Sequence, residues 1–394
     1  MLPFLGSANV SVAAPVRPFA IEEGHVSVPG IYLDSGTMHP IPAGGLASLG
    51  TYLDARRTGE DWHSGGVEDR VKSGFAQLVG ADPAELAFVQ STTAGEQLVI
   101  DALGLPARGG SIVTDTLHFF GSFWLYEQLA KQGMDVRWLR PRDGRITPEQ
   151  YEQAIGPDTR LVSLSLVSTY NGFEQDLKCI CEIAHSRGAR VYADIIHAAG
   201  TIPIDLHAAG VDFAASASYK WLMGDFGLGF LYVRKDLLPE IRRPHYGYYQ
   251  LAGFRSHVYP FDTDGAGVAD MTARDDAEGM FAMGTRSHQV MALLDWSLPF
   301  LNRIGTDELA ARRKPMLDLL HRKLPEKGFK VATPRDCRTP LFTCILEGAY
   351  DKLSEPLAKA GIKITLMRNR FRVCPSYFNT VADIERLIDA LPSQ

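Results

Sequence analysis

Short apolar runs alternate with helix-forming stretches from residue 85 to residue 233, and this alternation constrains the fold more than any other feature. The apolar runs include LAFVQ, RLVSLSLVS and ARVYADII, which carry polar residues mainly near their carboxyl ends. Strands that are buried on both faces have this composition, and strands that alternate with helices pair in parallel. The sequence therefore predicts an α/β fold with a mainly parallel sheet that is covered by helices.

The domain organisation follows from chain length and from a change of pattern after residue 300. The chain has 394 residues, enough for one large and one smaller domain. We expect an N-terminal arm (1–28), a large domain (29–300) and a smaller C-terminal α/β domain (301–394). The opening residues are mildly apolar but contain prolines and no basic start. This pattern favours an extended arm over a signal peptide.

Charge, hydropathy and cysteine spacing exclude several classes of function. The net charge of −6 gives no electrostatic case for nucleic acid or an anionic membrane as a partner. No apolar run approaches the roughly 18 to 20 residues that a spanning helix needs. The 5 cysteines lack CxxC or His-linked spacing, so we expect no metal site, no disulfides and a cytoplasmic protein. No G-x-G-x-x-G follows a strand, which argues against a nicotinamide dinucleotide site.

Chemically active residues end two neighbouring predicted strands. The first strand ends in Asp194, with His197 three positions on, and the second leads into Tyr219 and Lys220. In α/β sheets, ligands bind outside the carboxyl ends of the strands. Pyridoxal phosphate (PLP) requires a lysine for a Schiff base and an acid that keeps its ring nitrogen protonated. Singly, the aspartate could cap a turn and the lysine could be solvated. Together they predict a PLP site, in which His197 stacks on the ring or binds its phenolic oxygen.

The same stretch resembles the fold-type I PLP enzymes, specifically the aminotransferase class V branch. That branch contains cysteine desulfurases, selenocysteine lyases, kynureninases and isopenicillin N epimerase-like proteins. The resemblance is carried by Asp194, His197, Asp212-Phe213, Lys220 and the glycine-rich turn from Gly224 to Gly229. The run DFAASASYKWL is especially similar to kynureninases, where a tyrosine before the lysine binds the cofactor phosphate. The resemblance implies that role for Tyr219.

Further cofactor contacts are implied by the resemblance. Thr92 and Thr93 open a helix after a strand, where hydroxyls and free N–H groups bind anions, although threonine is also an ordinary N-cap. Phe119 occupies the place of the residue on the ring face. Desulfurases and lyases carry a histidine there that can move a proton, so Phe119 argues against those chemistries. Thr169 matches the residue that contacts the phenolic oxygen, with Ser168 as the alternative if the register differs by one.

Two later residues match positions outside the central stretch. Thr285 resembles the family threonine that reaches the phosphate in the partner subunit, which implies a homodimer with shared active sites. It could equally cap the following helix. Arg372 matches the arginine that binds the substrate α-carboxylate through two parallel hydrogen bonds. The alternative is a strand arginine paired with a surface acid. The segment before Arg372 has no room for the cysteine-bearing loop of desulfurases, so persulfide transfer is not expected.

The resemblance implies a PLP enzyme acting at the amino group or Cα of an amino acid or small amine. Lys220 would hold the cofactor as a Schiff base, be displaced by the substrate amine and then take the Cα proton as general base. Asp194 would keep the ring nitrogen protonated, and Arg372 would fix the carboxylate. The aminotransferase, epimerase and C–X lyase reactions stay open. The alternatives from other functional classes are a catalytically silent PLP-fold binding or regulatory protein, and a nucleotide-binding enzyme with a coincidental lysine.

Two segments carry weaker expectations. Residues 244–280 are rich in turns and tyrosines without clear periodicity, which is typical of a functional loop or a dimer contact. Tyr248 and Tyr249 are candidates for substrate specificity there. Near the N-terminus, Ser35, Gly36 and His39 could approach the substrate, as in the family, although His39 could equally be an exposed turn histidine.

Overall fold

The computed structural model describes residues 22–62 and 66–394. Most of the expected N-terminal arm lies outside these residues. The helices are α1 (Ala43–Thr58), α2 (Val67–Val79), α3 (Thr92–Ala102), α4 (Phe120–Lys131), α5 (Pro148–Ala154), α6 (Leu177–Ser186), α7 (Leu206–Ala209), α8 (Ala277–Phe281), α9 (His288–Ile304), α10 (Thr306–Glu326), α11 (Ala349–Lys359) and α12 (Val381–Ala390). The strands are β1 (Ile31–Tyr32), β2 (Leu86–Val89), β3 (Ser111–Asp115), β4 (Asp135–Leu139), β5 (Thr159–Ser165), β6 (Arg190–Asp194), β7 (Phe213–Ala217), β8 (Gly229–Val233), β9 (Leu251–Ser256), β10 (Ala269–Ala273), β11 (Lys330–Val331), β12 (Phe342–Ile345), β13 (Ile362–Lys363), β14 (Thr365–Leu366) and β15 (Arg370–Val373).

A 7-stranded sheet forms the centre of the molecule, in the order β2-β8-β7-β6-β5-β3-β4. Strand β8 runs antiparallel to both of its neighbours, and the remaining neighbouring pairs are parallel. Every residue of β3, β7 and β8 is buried, as expected for strands covered on both faces. The predicted α/β fold with a mainly parallel sheet is confirmed.

Helices cover both faces of this sheet. Successive residues of β8 point to opposite faces, because side chains alternate along a strand. Phe230 packs with Phe75 of α2 in the cluster on one face, with ring centroids 3.9 Å apart. Leu231 joins Val99 of α3 and Tyr126 of α4 in the cluster on the other face. Helix α3 therefore lies against the sheet with its N-terminus directed to one sheet edge.

A second, smaller core lies in the C-terminal part of the chain. Strands β11, β12, β15 and β14 form an antiparallel sheet in that order. Residues of α10, α11 and α12 pack against it. Ile31 and Leu33, from the N-terminal part of the chain, also join this core, and β1 pairs in parallel with β13. The domain boundaries at residues 28 and 300 stay a prediction.

The tyrosine-rich segment contains an antiparallel hairpin of β9 and β10. Its sequence does not signal strands because apolar and polar residues do not alternate regularly along it. Large apolar side chains are exposed on it, among them Phe254, Tyr259 and Phe261. Within residues 22–62 and 66–394, the helices are all too short or too polar to cross a bilayer.

Candidate active site

A cavity lies at the carboxyl edge of the large sheet. Most of the residues that the sequence analysis assigned to the cofactor line this cavity: Thr92, Thr93, Phe119, Thr169, Asp194, His197, Tyr219 and Lys220. They come together because β5, β6 and β7 are parallel and end at the same edge, where α3 begins. Ser91, Ser165, Ile196 and Ala217 complete the lining and were not assigned to it from the sequence.

Lys220 lies three residues beyond the end of β7, in a turn that the fold holds tightly. The Gly224 N–H donates to the Ser218 carbonyl oxygen at 2.9 Å, and a Cβ at Gly224 would lie 2.7 Å from the Ser218 side chain. Lys220 is only 8% exposed. Burial lowers its pKa to about 8, although the Asp194 carboxylate acts in the opposite direction. About a tenth of this amine is therefore neutral at pH 7, far more than of an ordinary lysine, and the neutral amine is the nucleophile.

Asp194 is the last residue of β6 and is buried. Its Oδ1 accepts a hydrogen bond from the Ile196 N–H at 2.9 Å. Burial raises the pKa of this carboxyl, and the positive charges of His118 and Lys220 oppose the rise. A buried acid of this kind is suited to bind a protonated ring nitrogen.

His197 is hydrogen-bonded both to Lys220 and to Trp221, the residue that follows the lysine. Its Nε2 lies 3.1 Å from the Lys220 Nζ, and its Nδ1 accepts a hydrogen bond from the Trp221 Nε1–H at 3.3 Å. Burial lowers the pKa of His197 far below its ordinary value, and the nearby positive charges of Lys220 and Arg372 add to this effect. The imidazole is therefore neutral. Trp221 was not singled out from the sequence.

The N-terminus of α3 forms the anion-binding end of the cavity. The Ser91 Oγ caps the helix by accepting from the Ala94 N–H at 3.1 Å. The Thr92 Oγ1 accepts from the Ala217 N–H at 3.0 Å, which ties the helix to the end of β7. The first turn contains no acidic residue. Free N–H groups and the helix dipole favour an anion here. Tyr219 also lines the cavity, and burial raises its pKa, which keeps its hydroxyl a donor.

Phe119 and its neighbour His118 face different surroundings. Phe119 lines the cavity, and its N–H donates to the Ser165 Oγ at 3.2 Å. His118 is buried, with its Nδ1 hydrogen-bonded to the same Ser165 oxygen at 2.8 Å and its Nε2–H donating to Glu96 Oε1 at 3.0 Å. The order of the two residues thus places an aromatic ring, and not an imidazole, at the cavity.

Glu96 on α3 is a buried acid that the sequence analysis missed. It forms an ion pair with His118 that is sealed from solvent. Burial would raise the pKa of Glu96, but the His118 charge and the hydrogen bonds from His118, Ser122 and Tyr126 together outweigh it and the pKa is lowered. Burial would lower the pKa of His118, but Glu96, together with the charges of Asp194 and Asp115, outweighs it and the pKa is raised. Three hydroxyls also donate to Glu96, those of Ser122, Tyr126 and Ser163. The only sequence signal was a glutamate beside the apolar residues of the helix.

Arg372 on β15 lies against the cavity wall through Thr169. Its guanidinium donates to the Thr169 Oγ1 at 2.7 Å and to the hydroxyls of Thr37 and Thr365 at 3.0 and 3.2 Å. It is 4% exposed, and its Nε has no hydrogen-bond partner among the described residues. All of these partners are neutral oxygens, so the alternative of an arginine paired with a surface acid does not describe this residue. A buried cation without a directly hydrogen-bonded counter-charge is unfavourable, which favours binding of a carboxylate.

Asp34 supports the two threonines and was also missed. Its Oδ1 accepts from the Thr37 hydroxyl at 2.8 Å and from the Thr365 hydroxyl. Because both hydroxyl hydrogens are directed to Asp34, the threonine lone pairs remain for Arg372. The guanidinium is therefore held in one orientation.

Several expected residues lie away from the cavity. Thr285 is exposed and does not line it. Ser168 donates to the Leu117 carbonyl oxygen at 2.9 Å, so of the two register alternatives Thr169 faces the cavity. His39 is buried, with Nδ1 bonded to the Pro40 oxygen at 2.7 Å and Nε2 to Ser376 at 2.8 Å. The interpretation of His39 as an exposed turn histidine is wrong, and it has no free ring nitrogen for a substrate.

Comparison with known proteins agrees with the geometry. A family model described as "Aminotransferase class-V" matches residues 63–366. An uncharacterized aminotransferase, YcbU of Bacillus subtilis (strain 168), is 29% identical over 321 residues, which are 81% of this chain and 82% of that protein. A kynureninase of Pseudomonas fluorescens is 28% identical over 344 residues, covering 82% of this chain and 77% of that protein.

Solved structures show the same fold. A cysteine desulfurase from Thermococcus onnurineus NA1, solved in its apo form, has a TM-score of 0.78 at 20% identity and covers 91% of this chain and 93% of its own. C-DES with glycine covalently linked to its PLP cofactor has a TM-score of 0.79 at 20% identity and covers 91% of this chain and 95% of its own. The fold is therefore that of the fold-type I enzymes.

Proposed function

The chain belongs to the aminotransferase class-V family of PLP enzymes, and from that premise we propose that it acts at the amino group or Cα of an amino acid through Lys220, Asp194 and Arg372. One observation carries the proposal: a buried lysine of lowered pKa and a buried carboxyl face one cavity whose far end is a helix N-terminus. Neither the comparisons nor the described site supports a catalytically silent protein.

The donors and acceptors in the cavity fit the cofactor. The N-terminus of α3 with Thr92 and Thr93, together with Tyr219, would hold the phosphate. Asp194 would bind the ring nitrogen, with Phe119 on the ring face and His197 or Thr169 at the phenolic oxygen. When bound there, PLP supplies an aldehyde that captures an amine and a ring that accepts electrons from a breaking Cα bond.

The side chains of this chain supply binding and proton transfer. Lys220 is neutral often enough to attack the aldehyde and, once displaced, to remove a proton from Cα. Arg372 is held by neutral oxygens and would orient the substrate carboxylate with two parallel hydrogen bonds. Asp194 would keep the proton on the ring nitrogen. The phenyl ring of Phe119 cannot transfer a proton. If the reaction needs the proton transfer that the family histidine performs, another group must carry it out.

Persulfide transfer is not part of the proposal. Strands β14 and β15 are separated by three residues, 367–369, so no long loop carries a cysteine to the cavity here. Cys374 lies nearby, but burial raises its pKa to about 11. A thiol with that pKa is protonated at neutral pH and is a poor nucleophile. Aminotransferase, epimerase and C–X lyase chemistry all remain consistent with the site.

We also propose a cytoplasmic homodimer in which Thr285 reaches the phosphate of the partner subunit. Thr285 is exposed and stands outside the cavity of its own subunit. The residue after it, Arg286, is fixed by ion pairs with Glu68 and Glu278 and lies over the Tyr249 ring at 4.2 Å. This support would hold the threonine in position at the surface.

The proposed function is tested by borohydride reduction of the protein after loading with PLP, followed by peptide mapping. The expected product is a single reduced adduct on Lys220, absent in Lys220→Ala and retained in a control variant of exposed Lys178. An adduct on another lysine, or none, would contradict the proposal. A panel of amino acids, assayed for keto acid, ammonia and loss of chirality, then separates the three reaction types.

A further inference from the structure

Trp221, the residue after the proposed Schiff-base lysine, has a polar contact as well as a packing role. Its indole is 3% exposed, and Nε1 lies 3.3 Å from the His197 Nδ1. An indole nitrogen carries a hydrogen and has no lone pair to accept with, so it can only donate. The His197 Nδ1 must therefore be the acceptor of this hydrogen bond and carry no hydrogen.

This contact determines the tautomer of His197. A neutral imidazole has one N–H, and with Nδ1 occupied as an acceptor the hydrogen is on Nε2. The Nε2 lies 3.1 Å from the Lys220 Nζ. In this pair the imidazole donates and the lysine nitrogen must accept. Only an unprotonated amine has a lone pair with which to accept, so the arrangement favours neutral Lys220.

We propose that Trp221 is a positioning residue that locks His197 as the Nε2–H tautomer and thereby favours the neutral, nucleophilic form of Lys220. Without the indole donor, His197 could place its hydrogen on Nδ1, and Nε2 would then accept from a lysine ammonium. The indole thus decides whether the histidine favours the neutral or the charged lysine. The inference rests on the proposed function of Lys220. The same Nε2–H is also the donor that an oxygen anion bound beside His197 would need.

Other charges face Lys220 and are unchanged by a Trp221 substitution. Asp194 at the end of β6 acts to keep the lysine protonated, and so does Cys374 when ionised. Arg372 on β15 acts in the opposite direction. A shift of the Lys220 pH profile in a variant changed only at Trp221 therefore arises from the effect of Trp221 on His197.

The test uses the protein without cofactor and measures the pH profile of Lys220 acylation by acetic anhydride, quantified by mass spectrometry. Exposed Lys178 serves as the internal standard. Trp221→Phe keeps an aromatic ring but removes the N–H donor. We expect the Lys220 profile to move to higher pH, with labelling at neutral pH about three- to tenfold slower, as expected for loss of one hydrogen bond.

Two further variants separate this role from packing. Replacement of Trp221 by benzothienylalanine keeps the shape of indole without its N–H and should produce the same shift of the Lys220 profile. If Trp221→Phe does not fold, this variant tests the inference in its place. In a His197→Leu background, Trp221→Phe should leave the Lys220 profile unchanged, because the imidazole that transmits the effect is absent.

Two results would overturn the inference. One is a Lys220 profile that is the same in the folded Trp221 variants as in the unmodified protein. The other is a shift that persists in the His197→Leu background. Because the labelling needs no cofactor, its outcome is separate from that of the borohydride experiment. A protein that shows the shift but forms no adduct at Lys220 would refute the proposed function and leave the tautomer inference standing.

Discussion

The charges of Asp194 and Arg372 change the pKa of Lys220 in opposite directions. Burial and the Arg372 guanidinium lower its pKa, the Asp194 carboxylate raises it, and the net result is a pKa of about 8. Because the folded pKa lies below the ordinary value of lysine, the neutral fraction rises as the pH passes through about 8. Asp194 and Lys220 could be predicted from the sequence because they lie at or just beyond the ends of strands at the active edge of the large sheet, whereas Arg372, on β15 of the smaller sheet, was predicted only through the family resemblance. Their hydrogen-bond partners could not, because Trp221, Thr37 and Thr365 carry no distinguishing local pattern.

The first prediction follows from these opposing effects. Capture of PLP by the cofactor-free protein should become faster as the pH rises and level off above about 8. Asp194→Asn removes a negative charge and should move the midpoint to lower pH, whereas Arg372→Gln should move it to higher pH. Stopped-flow absorbance at a series of pH values measures all three profiles. Shifts of the two variants in the same direction would rule out this electrostatic account.

The second prediction concerns the geometry of Arg372. Arg372→Lys keeps the charge but loses the planar fork, so KM for an amino acid should rise roughly 10- to 100-fold, the value of one or two charge-assisted hydrogen bonds. An amine substrate without a carboxylate should be almost unaffected. Arg368→Lys, at an exposed position between β14 and β15, is the matched control. Equal loss with both substrates would show that Arg372 has another role.

At the scale of elements, helix α3 has two functions at once. Its N-terminus faces the cavity, and Glu96 one turn later anchors it to His118, directly before the ring-facing Phe119. The alternation of strands and helices follows from apolar patterning, which is why the α/β fold with a mainly parallel sheet could be predicted, whereas the order of the strands in the sheet was not. The Glu96–His118 pair could not, since it joins residues of two separate helix-strand units. The β9–β10 hairpin was missed because its exposed strands lack alternation.

The third prediction tests this anchor. Glu96→Gln leaves the charge of His118 buried without its partner, and the free energy of unfolding should fall by about 3–5 kcal/mol. Urea denaturation compares it with Glu182→Gln, an exposed change on α6 that should have little effect. The pKa of Glu96 is lowered in the folded protein, so its stabilising contribution exists above the ordinary glutamate pKa and is lost as the pH falls through the folded value. The difference between wild type and variant should therefore shrink in acid.

At the scale of the whole molecule, large apolar side chains are exposed on the segment that follows Tyr248, whose ring lies against Gly284 beside Thr285. The β9–β10 hairpin displays large apolar side chains, and Tyr248 next to it is exposed as well. Large exposed apolar patches are typical of interaction sites, so this surface favours the proposed dimer contact. The sequence suggested a shared active site only through resemblance, because quaternary contacts leave no periodic pattern in one chain.

The fourth prediction tests that arrangement by complementation. Lys220→Ala should bind no cofactor covalently, and Thr285→Ala should bind it weakly, since one phosphate contact is missing. In a mixed dimer, one site combines the intact Lys220 of one subunit with the intact Thr285 of the other. Co-refolding the two variants should therefore restore tight binding at some sites, measured by equilibrium dialysis. Binding that equals the average of the separate variants would indicate that each site is built from a single chain.

The contact between Asp34 and Thr365 joins parts of the chain that are 331 residues apart. Together they orient the guanidinium of Arg372, and Arg372 is translated after every residue proposed to hold the cofactor. During synthesis, the residues proposed to bind PLP therefore leave the ribosome well before Arg372, which is proposed to bind the amino acid. A chain that stopped before Arg372 would carry the residues proposed to hold the cofactor without the guanidinium proposed to bind the substrate carboxylate.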